Sequence, residues 1–241
     1  MPSEDATETP LGMDPAHVRI IAEKTVVARP PRQALATFGV TTVSYHLVTA
    51  TALTEDDDDP REAVIRTGTV TSDRPQIVTP NYLFNLFQGF EHGQEFARYL
   101  IENHGPNSPG LLYSYKNELK DTSVVSDPPD VVVRRIADQL DRENKVHSAV
   151  IRGVDHYWDI SLMKFIHDLT VGSLGQTIGD LGRHGLLGND NGVPRAARSQ
   201  IDQMFAAVAA GELPAVELKR ELDRWDLFDE YEDRFLAMFR R

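Results

Sequence analysis

The stretch Thr41-Thr42-Val43-Ser44-Tyr45-His46-Leu47-Val48-Thr49 decides the fold class of this chain. Val43, Tyr45 and Leu47 alternate with Thr42, Ser44 and His46, a period of two that puts unlike residues on the two faces of a strand. An acidic run, Glu55 to Asp59, and Pro60 follow; then Ala63 to Thr71 resumes as Val and Thr around Gly68. Two extended runs about a polar loop predict an antiparallel hairpin with a long acidic tip. Adjacent carboxylates repel one another and need solvent or cations. The loop lacks the spaced oxygens and turn glycine of an EF-hand, so a solvated loop is a simpler reading than a calcium site.

Upstream, Val18 to Ala28 is rich in Ile and Val and reads as one or two strands ending at Pro30-Pro31. Residues 1–15 are acidic and poor in apolar side chains, the composition of a disordered tail. Downstream, Thr79-Pro80 is a helix start, with Thr as cap and Pro in the first turn. Tyr82, Leu83, Leu86, Phe87 and Phe90 follow at helical spacing, continued by Phe96, Tyr99 and Leu100. Leu111 to Lys116 is a short strand, Asp127-Pro128 opens a helix with Val132, Val133, Ile136 and Leu140 inward, and Ser148 to Arg152 is a buried strand. Beyond residue 155 strand signals stop. Tyr157 to Val171 reads as an apolar helix, and Pro194 to Ala210 and Pro214 to about Phe239 as two more, joined by Gly211-Glu212-Leu213. So short a joint predicts antiparallel neighbours.

Strands before helices make an α+β fold: an N-terminal antiparallel sheet with inserted helices, then a helical C-terminal region ending in an antiparallel helix pair. The expected domains are the tail, a mixed sheet and helix domain over 16–153, and a helical region over 154–241 packed on the same core.

The 241 residues hold 25 Lys and Arg against 37 Asp and Glu, a net charge of −12, and no cysteine. That removes thiol nucleophiles, thiolate zinc sites, iron–sulfur clusters and disulfide scaffolds. The acidity argues against a general nucleic-acid binder. No 18-residue apolar run or signal peptide is evident, so no membrane association and a cytoplasmic location are expected. Residues 1–62 carry 11 acids and five bases, half of the net charge, which leaves room for a local anion-binding patch elsewhere.

The densest segment for chemistry runs from Ile151 to Asp159. Arg152, Asp155, His156 and Asp159 leave a strand end, where scaffolds present functional side chains, and together suit an anion or acid–base work. Against this, Asp155 or Asp159 suits a helix cap, and Arg152 a pair with Asp155.

Within the following helix stands the doublet His167-Asp168 in the text Phe165-Ile166-His167-Asp168-Leu169. This resembles the HD-type metal phosphohydrolases, which carry an adjacent His-Asp pair on a helix. The resemblance implies a divalent metal with His92 as the earlier ligand and Asp202 as the later one. It covers four residues, and a strand signal falls between His92 and His167 where that family is compactly helical. Lys164 and Asp168 stand four apart and suit an ordinary ion pair instead. Without that resemblance no cofactor is expected.

Seven of the 16 glycines fall between 172 and 192. They match neither a Walker loop nor a G-x-G-x-x-G turn, so a small-residue helix face at Gly175, Gly179 and Gly182 plus a loop is the reading. Near the C-terminus, Trp225, Phe228, Tyr231, Phe235 and Phe239 continue a stripe begun by Leu218 and Leu222. It suits a protein partner or self-association, or packing on the preceding helix through Ala197, Ile201, Met204, Phe205 and Val208. Lacking a complete catalytic motif, the sequence reads first as an intracellular non-catalytic interaction or regulatory protein within a homo-oligomer or larger complex. A metal-dependent phosphohydrolase and a small anionic ligand sensor are the alternatives.

Overall fold

The period-two stretch becomes the centre of a five-stranded sheet. The structure is a computed structural model that describes residues 15–51, 60–86, 98, 101–103 and 105–239. Residues 1–14 of the tail, the acidic tip and His92 lie outside the described residues. Strand β2 (Thr41–Ala50) pairs with β3 (Ala63–Ser72) in an antiparallel ladder from Thr41↔Ser72 to Ala50↔Ala63, as the hairpin reading expected. On its other side β2 pairs in parallel with β7 (Ser148–Arg152). Strand β1 (Val26–Arg29) joins β7 and β6 (Tyr115–Val125) joins β3, both antiparallel, giving the order β1-β7-β2-β3-β6. The sheet is thus antiparallel except at β2–β7, where helix α3 (Pro129–Arg142) lies in the long crossover that a parallel pair needs.

Contacts divide the chain into two units that interleave in sequence. The first holds the described residues of 1–36, 40–72 and 115–175, and the second those of 37–39, 73–114 and 176–241.

In the first unit both sheet faces are covered, and the alternation in β2 sorts them. Val43, Tyr45 and Leu47 join Val70, Ala149 and Ile151 under Leu162 and Phe165 of α4 (Trp158–Arg183). Val48, Val150 and Ala63 take the opposite face, under Val132, Val133 and Leu140 of α3. Gly68 is required where it stands: a Cβ there would lie 2.5 Å from both the Glu118 carbonyl oxygen and the Tyr45 hydroxyl. The Tyr45 hydroxyl donates to Asn117 Oδ1 at 3.1 Å, and burial raises its pKa against that bond. Strand β6 is one of the sheet's two outer strands, exposed along most of its length, with a bulge at Lys120 between Gly68↔Leu119 and Thr67↔Asp121. Buried Arg29 donates to Asp141 Oδ1 at 2.7 Å and to the Lys145 carbonyl at 3.0 Å, tying β1 to the end of α3. That hydrogen bond is the main reason the Asp141 carboxyl titrates low.

The second unit contains α2 (Pro80–Leu86), the pair β4 (Gln76–Val78) and β5 (Gly110–Leu112), the hairpin β8 (Asn189–Asp190) and β9 (Val193–Pro194), and helices α5 (Arg195–Ala209), α6 (Ala215–Arg224) and α7 (Phe228–Ala237). Its core gathers Tyr82, Ile201, Phe205, Leu218, Leu222 and Trp225. Thr79 caps α2 as its sequence announces, accepting from the Tyr82 N–H at 3.3 Å. Asn191 and Gly192, at φ 51° and 86°, form the two-residue turn of β8–β9, the primed geometry that Asn-Gly favours.

Four helices end alike. After α3, α4, α5 and α6, a left-handed residue (Asn144, Gly185, Gly211, Asp226) is followed by an N–H that bonds back to the last turn. The last of these bonds is Leu227 N–H to the Leu222 carbonyl at 2.9 Å. This Schellman closure satisfies carbonyls that the helix leaves without partners.

Three readings need correction. Val18 to Lys24 is not strand but part of helix α1 (Pro15–Lys24), with Ile21 buried and Arg19 paired to Glu23 at 2.8 Å one turn on. The helix read over 214–239 is two, because the Asp226 closure turns the chain so that both Trp225 and Leu227 enter the core. Helix α4 runs on through the glycines to Arg183; among the described residues a Cβ at Gly175 or Gly179 would meet nothing within 4 Å, and one at Gly182 only Leu187 at an ordinary 3.7 Å, so these are not a close-packed small-residue face.

Candidate functional site

Strands β2 and β7 run parallel and end together, with Val48 opposite Arg152. The space beyond the carboxyl ends of parallel strands is where open sheets commonly receive ligands. Here it is a cleft of about 270 Å³ lined by Lys24, Ala50, Arg152, Gly153 and Val154. Gly153 extends the ladder by one bond, its N–H donating to the Val48 carbonyl at 2.9 Å. A side chain at Gly153 would collide with Ser161, at 2.8 Å from its Cβ and Oγ. Ser161 is fully buried: its Oγ accepts from the Val154 N–H at 3.2 Å and lies 2.9 Å from Thr25 Oγ1, whose hydroxyl donates to the Ile21 carbonyl. This chain of hydroxyls holds the end of α1, and with it Lys24, beside the end of β7.

The four residues singled out in 152–159 separate. Arg152 faces the cleft; its Nη1 donates to the Gly153 carbonyl at 2.8 Å and its Nε lies 3.4 Å from the exposed carboxylate of Asp130. Asp155 turns inward instead, accepting from Thr49 Oγ1 and from Arg66 Nη1, both at 2.7 Å. Arg66 also stands over the Trp158 ring, 5.5 Å from its centroid. Asp155 therefore pairs with Arg66 rather than with Arg152. His156 packs edge-on against Tyr157 at 5.1 Å, and Asp159 lies in the first turn of α4. Lys24 is the cleft residue that the sequence did not announce. Its signal is its place two residues before a strand that joins β7, which only the pairing reveals.

Of the metal candidates, His92 lies outside the described residues, and His167, Asp168 and Asp202 form no metal-holding group among those described. His167 Nδ1 lies 3.5 Å from Asp168 Oδ1, but the His167 side chain is exposed and Asp168 accepts from Lys164, the four-apart pair. Asp202, in the second unit, pairs with Arg234 at 2.5 Å. Among the described residues no three His, Asp or Glu groups converge as a metal site.

The terminal aromatic stripe turns into its own unit. Trp225 and Phe235 are buried, Tyr231 stacks on Phe205 at 5.7 Å, and Phe228 meets Phe235 edge-on. Phe239 remains 60% exposed, so only the tip of the stripe is presented outward. Charged clasps flank it: Arg198 Nη1 donates to Glu230 Oε1 at 2.6 Å, which holds the Glu230 carboxyl below its ordinary range.

A second hollow, of about 380 Å³, opens in the second unit between α2, the β8–β9 turn and the α6–α7 joint. The sequence marked Thr79 as a helix cap, Tyr82 as part of a helical stripe and Trp225 as a partner-surface candidate, but did not bring them together as a site; Asn191-Gly192 is a recognisable turn signal that hides among the glycines of 172–192. Among the described residues no helix is long and apolar enough to cross a membrane. No protein-family model matches the chain, and no curated protein or solved structure matches it.

Proposed function

We propose that this is a non-catalytic regulatory protein that senses a small anion in the cleft beyond β2 and β7. The observation that carries the reading is the pairing of Lys24 and Arg152 on the wall of that cleft, at the end of the sheet's parallel strands. Asp130 is the competing carboxylate, yet its side chain is 79% exposed and such pairs are worth at most about 1 kcal/mol, so a dianion can displace it. Asp155, one of the two carboxylates that the sequence offered for acid–base work, is committed to Arg66 and Thr49, which favours binding over catalysis.

The ligand class is a molecule with a phosphate or clustered carboxylates. Titration calorimetry on the full chain with inorganic phosphate, glycerol 3-phosphate and citrate separates these sources. Saturable binding is expected for at least one, weakened about tenfold or more in the double variant Lys24→Gln, Arg152→Gln, because each lost charge contact is worth on the order of 1 kcal/mol. Absence of saturable heat with all three, or equal binding by the double variant, overturns the proposal.

A further inference from the structure

We infer that the hollow in the second unit is a separate binding site for a neutral, hydroxyl-rich small molecule of sugar or polyol type. Its floor and its rim differ in kind. Tyr82, Val193, Trp225 and Leu227 form the floor, each under 9% exposed, with the Tyr82 and Trp225 rings 4.5 Å apart. Asn81, Asn107 and Asn191 stand on the rim, from three separate segments of chain. An apolar floor beneath polar groups at the edge matches a ring with carbon–hydrogen faces and hydroxyls around its equator.

Charge selects against the other common ligands. Glu221 lies beneath the floor and is buried; Tyr82 Oη donates to its Oε2 at 3.3 Å, Trp225 Nε1 to its Oε1 at 3.1 Å and Arg224 Nη1 to its Oε2 at 3.1 Å. Arg224 is therefore spent on Glu221 and offers no uncompensated cation to an anion. The remaining charge on the lining is Asp226, which is negative and repels phosphates and carboxylates. The rim amides, in contrast, each bring one acceptor and two donors, and among the described residues those of Asn81, Asn107 and Asn191 make no hydrogen bond. Asn85 uses its amide N–H on the Arg224 carbonyl at 3.0 Å and keeps its oxygen to accept. Amides and a carboxylate pair with hydroxyls, which donate and accept in turn. The volume of about 380 Å³ is at the lower end of small-ligand sites and suits one or two sugar rings.

Both turns that shape the rim hold their residues for local reasons, so the side chains can be changed without unmaking the fold. Asn191 is the first residue of a turn that accepts glycine, and Asp226 is a left-handed helix closure that accepts asparagine. The test is saturation-transfer NMR on the full chain with glucose, maltose, trehalose and myo-inositol, with glucose 6-phosphate and adenosine as contrasts. At least one neutral sugar or polyol is expected to receive saturation and glucose 6-phosphate to receive less than glucose. The variant Asn107→Ala, Asn191→Gly is expected to weaken that binding about tenfold or more while its circular dichroism is unchanged. Should that double variant fail to fold, Asp226→Asn serves in its place: it is expected to raise glucose 6-phosphate binding relative to glucose. No response from any of the four neutral probes, a preference for the phosphate or for adenosine, or binding indifferent to these substitutions overturns the inference. Because Lys24 and Arg152 lie in the other unit, the double variant at those positions is expected to leave sugar binding intact.

Discussion

Replacing Asp155 by Ala removes the acceptor shared by Arg66 and Thr49 in the first unit. The Arg66 and Asp155 side chains are only 14% and 12% exposed, so the guanidinium left behind is nearly dry. Breaking a buried pair from one side costs about 3–5 kcal/mol, most of it the uncompensated charge. Thr49, fully buried, adds about 1 kcal/mol because its hydroxyl proton loses its acceptor, while the bond from Arg66 Nη1 to Thr49 Oγ1 at 3.3 Å, the stacking of Arg66 over Trp158 and its residual exposure return a part. The expected net loss is about 3 kcal/mol. Replacing both charges, Asp155→Leu with Arg66→Met, removes the stranded cation and is expected to cost no more than about 1–2 kcal/mol, the Thr49 hydroxyl remaining unpaired. The chain has two tryptophans, Trp158 in the first unit and Trp225 in the second. In a Trp225→Phe background, urea unfolding followed by Trp158 emission therefore reports the unit that holds the pair. A loss below about 1 kcal/mol in Asp155→Ala, or a double variant as unstable as the single one, would refute the assignment of Asp155 to a structural buried pair.

Burial, helped by Glu221, pushes the Tyr82 hydroxyl up to about 12 from 10, so folding favours its neutral form. That stability is complete below pH 10 and is lost as pH rises towards 12, roughly 3 kcal/mol over the window; in Tyr82→Phe the corresponding slope of unfolding free energy against pH should vanish. Gly68→Ala forces a methyl onto the Glu118 carbonyl and the Tyr45 ring, and the β3–β6 ladder must part to admit it. Soluble protein with the parent's thermal midpoint would count against that packing; a loss of about 3 kcal/mol is expected. In the opposite direction, Asn144→Gly relieves a left-handed closure at the end of α3 and should raise the urea midpoint by up to about 1 kcal/mol equivalent, with lower stability counting against the closure geometry.

The sheet was legible wherever burial differs between the faces of a strand. The alternation of Val43, Tyr45 and Leu47 gave β2, and the dense apolar run of Ser148 to Arg152 gave β7, which is covered on both sides. Strand β6 was read only at its start, because Lys116, Glu118, Lys120 and Asp121 reflect an edge exposed on both faces, where composition carries no period. Helix α1 was misread because its Val and Ile favour strands intrinsically, a weak preference that the burial of Ile21 overrides. Of the site, Arg152 was legible as a cation leaving a buried strand. Lys24 was not, since it reaches the cleft through the antiparallel pairing of β1 with β7, a contact between residues more than a hundred apart in the chain.

The bulge at Lys120 has a consequence for how this protein behaves in a crowded solution. Up to Leu119, odd-numbered side chains of β6 share the face of Tyr45; past the extra residue, Thr122 and Val124 do. A second straight strand laid along this rim can match one half or the other, never both, and meets charged side chains in each. A long bare rim would otherwise seed ladder-like growth from chain to chain. Deleting Lys120 should restore a single phase along the rim, and light scattering on standing should then rise above that of the parent; equal scattering would mean that the charges alone keep the chains apart.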